Sequence, residues 1–114
     1  MELKLRKHED IYIVDILGDL DLYSSLQLKD LFIKLLEKKP RVFIMNLESV
    51  SFLDSSGIGA LITMYNTALQ KHIKFLLANV RGQTRNVMSL TRLEKFFPIA
   101  SSIEDAIAQV LHEE

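Results

Sequence analysis

The chain has 114 residues, 48% apolar and 25% charged, with 14 Lys and Arg against 15 Asp and Glu for a formal net charge of −1. That size and balance suit one globular unit, a single domain over residues 1–114 expected to be soluble and cytoplasmic, and they give no electrostatic footprint for nucleic acid or an anionic membrane. There are no cysteines, which excludes disulfides, thiolate zinc sites and cysteine nucleophiles, and no apolar run approaches the ~18 residues of a membrane span.

Residues 1–6 alternate apolar and charged side chains and lack the apolar core of a signal peptide, and residues 3–7 predict a half-exposed edge strand. His8, Glu9 and Asp10 form a turn. Residues 11–17, rich in β-branched and aromatic side chains, predict an antiparallel partner strand ending at Gly18. Residues 19–23 read as a loop. Ser24 and Gln27 then match the S-x-x-Q capping box of a helix striped by Leu28, Leu31, Phe32, Leu35 and Leu36. Lys38 and Lys39 suit its C-terminal dipole, and Pro40 stops it. The run Val42, Phe43, Ile44, Met45 within residues 41–47 predicts a strand buried on both faces.

Residues 46–59 hold the most informative stretch. Two adjacent hydroxyls, Ser55 and Ser56, stand between Asp54 and a helix striped by Ile58, Leu61, Ile62, Tyr65 and Leu69 that runs to about Lys71. Residues 74–78 predict a second buried strand, parallel to the first across this helix. A short helix over residues 84–90 packs through Val87 and Leu90. Phe96, Phe97, Pro98 and Ile99 form an apolar connector with a brief edge strand. Ser101, Ser102, Ile103 and Glu104 cap a last helix striped by Ile103, Ala106, Ile107, Val110 and Leu111. The sum is an α/β domain, a small mixed β-sheet of about four to five strands with about four helices.

A helix N-terminus has unpaired N–H groups and partial positive charge, so Ser55 and Ser56 sit where a cap hydroxyl and an added phosphate are both stabilised. On physical grounds alone the cap is the simpler use of Ser55. A hydrolase elbow needs G-x-S-x-G, but Leu53 stands at the first glycine, and His8, His72 and His112 have no triad context. Gly57 and Gly59 lack the third glycine of a dinucleotide loop and any G-K-[ST]; they suit close approach of a backbone or a docking partner. Asp19 and Asp21 read as turn residues whose interest depends on lying beside Asp54, and no calcium ligand set accompanies them. Arg81, Arg85, Arg92 and Lys95 read as a solvated face, and Met45, Met64 and Met88 as core. No metal and no cofactor is expected.

Gly18-Asp19-Leu20-Asp21 followed by a helix, then Phe52-Leu53-Asp54-Ser55-Ser56-Gly57-Ile58-Gly59, resembles the STAS family, specifically bacterial anti-sigma factor antagonists. Leu77-Ala78-Asn79-Val80, Val87-Met88-Ser89-Leu90-Thr91, Phe97-Pro98-Ile99 and Glu104-Asp105-Ala106 extend the likeness over the whole chain. The resemblance implies a non-enzymatic, phosphorylation-switched module that binds an anti-sigma factor serine kinase, which carries the ATP, and is reset by a phosphatase. Carried over, the phosphorylated residue is Ser55, with Ser56 the alternative, and the partner-binding residues are Asp21, Asp54, Ser55, Ser56, Gly57 and Gly59. A monomer in isolation is expected. A second arrangement within the family is a scaffold or subunit of a stress-sensing or transporter assembly. Two departures stand out: Arg92 where the family commonly has glycine, and the apolar Leu22 and Tyr23 where polar residues are usual.

Overall fold

The computed structural model describes residues 1–112. Its centre is the long strand β2 (Ile11–Leu20), flanked on one side by antiparallel β1 (Glu2–His8) and on the other, along its first half, by parallel β3 (Val42–Asn46). The second half of β2 pairs with β4 (Val50–Leu53), also parallel. Beyond β3 come β5 (Lys74–Ala78) and the two-residue β6 (Ile99–Ala100), giving the order β1-β2-β3-β5-β6 with β4 off this path. Among the described residues the expected small mixed sheet has six strands, one beyond the four to five expected, because β4 escapes a reading by hydrophobic pattern. Only four residues long, it exposes its two middle ones, Ser51 and Phe52.

β2 runs past the glycine that was expected to end it. Gly18 sits at φ +100, a left-handed conformation that suits glycine, and a register shift between Gly18 and Asp19 carries the strand from one neighbour to the next. The expected loop over residues 19–23 is therefore mostly the end of β2 and the first turn of α1 (Leu22–Leu36).

Alternation along β2 divides the core. Tyr12, Val14 and Ile16 face the helices α1 and α2 (Ser55–Gln70), with α3 (Gly82–Leu90) at the margin, while Ile11 and Ile13 face α4 (Ile103–His112) on the other side. Phe43 and Met45 point to the first cluster, Val42 and Ile44 to the second, and all four are fully buried. Met64 and Met88 join the first cluster as expected.

Candidate functional site

Because β2 and β4 are parallel and in register, with Leu20 opposite Leu53, the next residue of each strand opens a helix at the same end of the sheet. Those residues are Asp21 and Asp54, the N-caps of α1 and α2, and the Asp54 N–H donates to the Leu20 carbonyl at 3.4 Å. The loop acid and the serine segment that lie 33 positions apart in sequence are thereby neighbours.

At α1, the Asp21 carboxylate accepts from the Ser24 N–H at 3.1 Å, and the Ser24 hydroxyl accepts from the Asp21 N–H at 2.8 Å. The capping box therefore joins Asp21 to Ser24, one turn before the expected Ser24 to Gln27, and Ser24 and Ser25 are buried in the helix. The Ser24 N–H, and secondarily its hydroxyl, hold the Asp21 carboxyl below the usual carboxylate range.

At α2, Asp54 accepts from the Gly57 N–H at 3.0 Å. The cap is the acid, so Ser55 is released from that duty and stands as the first helical residue, exposed, while Ser56 is half-buried. Gly57 is buried, and a Cβ there would come within 2.6 Å of Leu53 Cδ1 and strike the Leu20 carbonyl. Its close approach is to its own chain. Gly59 is exposed and faces open space, the only one of the two glycines left for a partner.

Two further features border the site, and the first, Gln83, carries no signal in the sequence pattern. Gln83, in the first turn of α3, accepts from the Leu53 N–H at 2.9 Å and donates to the Leu53 carbonyl at 3.1 Å, clamping β4 one residue before the α2 cap. Four apolar side chains flank the caps in the open: Leu22 (56% exposed), Tyr23 (78%), Leu26 (56%) and Phe52 (45%). Leu22 and Tyr23 stand out as apolar in a loop-like segment of the sequence, whereas Phe52 becomes visible only once β4 is known. Exposed apolar groups gathered around polar ones mark surfaces that other proteins cover.

Nearby, a chain of polar contacts spans β2, β3 and the end of β5. Arg6 pairs with Asp15 at 2.8 Å, Asn46 donates to Asp15 at 2.7 Å, Asn79 to Asn46 at 3.0 Å, and Arg81 to Asn79 at 3.0 Å. Arg81 also lies 3.9 Å from Glu48, so it is engaged within the fold.

The histidines are elsewhere. His72 follows the C-terminus of α2, a helix whose 16 residues span roughly 24 Å. His8 is paired with Ile11 at the start of β2, the end remote from Leu20. Neither forms a nucleophile–base pair with Ser55. Among the described residues no cluster of three His, Asp or Glu side chains is arranged to hold a metal ion, and no helix is long and apolar enough to cross a membrane.

The family model described as STAS domain matches residues 2–106. The chain is similar to the anti-sigma F factor antagonist of Paenibacillus polymyxa, at 21% identity over 96% of this chain and 95% of that one. It superposes on the structure of an anti-sigma factor antagonist from Mycobacterium paratuberculosis with a TM-score of 0.86 at 27% identity, covering 96% of this chain and 92% of that one. It also shares the fold of Bacillus SpoIIAA at 22% identity: the unphosphorylated form gives a TM-score of 0.81 (97% of each chain) and the phosphorylated form 0.73 (96% of this chain, 99% of that one).

Proposed function

The chain belongs to the STAS domain family, and from that premise we propose that it is an anti-sigma factor antagonist, a single regulatory domain over residues 1–114 switched by phosphorylation of Ser55. The observation that carries the reading is the position of Ser55: exposed, first in α2, and beside two capping carboxylates. In the unmodified state the surface formed by Asp21, Asp54, Ser55, Ser56 and Gly59, with Gly57 setting its backbone, binds an anti-sigma factor that is also a serine kinase, and so frees a sigma factor for transcription. The kinase holds ATP and transfers its terminal phosphoryl group. The Ser55 oxygen forms the new P–O bond, ADP leaves, and the hydroxyl proton passes to a base on the kinase. A phosphatase returns the hydroxyl. This protein is substrate and ligand, not enzyme, and it works in the cytoplasm.

Support comes from the similar proteins named as anti-sigma antagonists and from SpoIIAA, whose structure exists in phosphorylated and unphosphorylated forms. The exposure of Ser55 against half-buried Ser56 favours the former as the modified residue. Phosphopeptide mass spectrometry on the protein from its own cells tests this. Phosphate is expected in the wild type and in Ser56→Ala, and absent from Ser55→Ala. Phosphate retained in Ser55→Ala reassigns the site, and none in any growth or stress condition removes the switch.

A further inference from the structure

Helix α1 carries two apolar stripes. Leu28, Phe32 and Leu35 are buried in the core cluster on the α1 and α2 side of the sheet. The second stripe is Leu22, Leu26, Lys29, Ile33 and Leu36, and its spacing of 4, 3, 4 and 3 residues is that of a coiled-coil seam. A helix that had only to cover the sheet would need the first stripe alone. Along the second, Leu22, Leu26 and Ile33 are 56–58% exposed, and Lys29 and Leu36 are half-buried. Large apolar side chains lined up in water on one helix face mark a surface that another protein covers.

The other bank of this surface is α2, which begins at the same end of the sheet as α1 and packs beside it. Between the two helices, Ile33 and Leu36 face Thr63 and Thr67 across an apolar cleft of about 100 Å³. That volume is well below the roughly 300 Å³ at which small-molecule sites begin, but it suits the side-chain knobs of a third helix. From Leu22 to Leu36 the seam is about 21 Å long, enough for a docking helix of about four turns. It is also continuous with the switch surface: Leu22 and Leu26 flank the caps, and Gly59, one turn beyond Ser55 on α2, opens onto free space. A protein that covers Ser55 therefore already lies over one end of the seam. A second copy of this chain fits less well. Lys29 is the middle residue of the stripe, so a two-fold pairing of α1 with itself sets Lys29 against its own copy, a like-charge contact.

We propose that an amphipathic helix of the kinase partner packs along this seam. Its apolar residues, at alternating three- and four-residue spacing, meet Leu22, Leu26, Ile33 and Leu36, and an acidic residue meets Lys29, the charged residue of the cleft lining. The inference rests on the reading of Ser55 as the kinase's substrate and adds to it a docking site remote from the hydroxyl.

The test uses the full chain and the kinase purified by its ATP-dependent phosphorylation of Ser55, with rates measured over a range of substrate concentration. Leu26→Glu and Ile33→Glu, both at exposed positions, should each raise KM by about tenfold or more and leave kcat unchanged, the signature of lost docking rather than lost chemistry. Lys29→Glu should raise KM severalfold. Leu69→Glu, at a similarly exposed leucine of α2 outside the cleft, should leave KM unaltered. Circular dichroism of each variant should match the wild type. Equal KM for the seam variants and wild type, or an equal rise in Leu69→Glu, would overturn the seam and leave Ser55 as substrate. A dimer of the free chain in sedimentation, dissolved by Ile33→Glu with KM unaltered, would give the seam to a second copy and overturn the proposal too. Failure to find any kinase activity on Ser55 would instead remove the switch and the docking helix together.

Discussion

At the scale of single residues, Gly57 and Asp21 hold the two helix starts of the site, and Arg92 shows what a non-glycine residue costs at a helix end. Gly57 allows α2 to begin against the Leu20 carbonyl, so Gly57→Ala pushes the helix off β2 and β4. Overpacking of this kind costs about 1–3 kcal/mol, and a lowered midpoint in denaturant melts should report it; an unchanged midpoint would show that the helix can slide freely. Arg92 presents the opposite case. It occupies φ +59 just after α3, where the Leu93 N–H reaches the Met88 carbonyl at 2.9 Å and the Arg92 N–H reaches Ser89 at 3.1 Å, the bonding of a helix end that favours glycine. Arg92→Gly removes left-handed strain but loosens the unfolded chain, for a net gain of about 0.5–1 kcal/mol and a melting temperature raised by a few degrees. Asp21 sets a pH dependence. Its carboxyl titrates below the ordinary range in the fold, so the unfolded chain takes up the proton first as pH falls. The stability it contributes is present above the unfolded value of about 4 and lost as pH drops through the lower folded value. Asp21→Asn keeps a capping oxygen without the titration, so its stability should fall less steeply than wild type below that pH in acid-unfolding curves.

At the scale of elements, the prediction concerns β4, which β2 holds on one edge and Gln83 on the other. Gln83→Ala leaves the Leu53 N–H and carbonyl without their side-chain partners, at a cost of about 1–2 kcal/mol. Hydrogen exchange at the Leu53 amide should quicken more than at Leu77 in β5, whereas equal change at both would mean that the loss is only global. The same strand shows where the sequence was mute. Four helices and the β1–β2 and β3–β5 pairs are legible because periodicity is local, and so is the neighbourhood of the α2 cap, although the capping group is Asp54 and not the Ser55 hydroxyl that physical grounds favour. β4 is not legible, since a four-residue strand with an exposed middle has no period to read. The start of α1 lies one turn earlier than expected for a different reason: Ser24 with Gln27 matches the S-x-x-Q template, whereas the box that forms, Asp21 with Ser24, has a serine in place of the template's Glu or Gln. On α2 the expected stripe of large residues is rotated from the most buried face, which is lined by Gly57, Ala60, Leu61, Met64 and Ala68 while Leu69 is 53% exposed. Small residues let the helix lie close to the sheet, and a search for bulk overlooks them. The adjacency of Asp21 to Asp54 depends on register between distant strands, which no local pattern carries.

At the scale of the whole molecule, the question is whether the proposed switch alters the fold or only its surface. Ser55 lies outside both apolar clusters, which rest on the two faces of a shared sheet and do not include the first turn of α2 before Gly57. A phosphate there adds about −1.5 to −2 charges. The N-terminus of α2 favours that charge by about 0.3–1 kcal/mol, and repulsion from half-buried Asp54 and Asp21, damped by solvent, acts against it. The two effects nearly cancel in the free protein. Across an interface they do not, because the phosphate must shed water beside two carboxylates and among Leu22, Tyr23 and Phe52, against a surface complementary to a hydroxyl. Like-charge juxtaposition on that scale costs several kcal/mol, on the order of a hundredfold or more in affinity. Ser55→Glu should therefore move the melting temperature by less than about 5 °C while weakening binding to the kinase partner recovered by pull-down by on the order of a hundredfold. Calorimetry of the variant alone and in complex separates the two quantities. A large loss of thermal stability with little change in affinity would place the effect of phosphorylation in the fold and sink the surface-switch account.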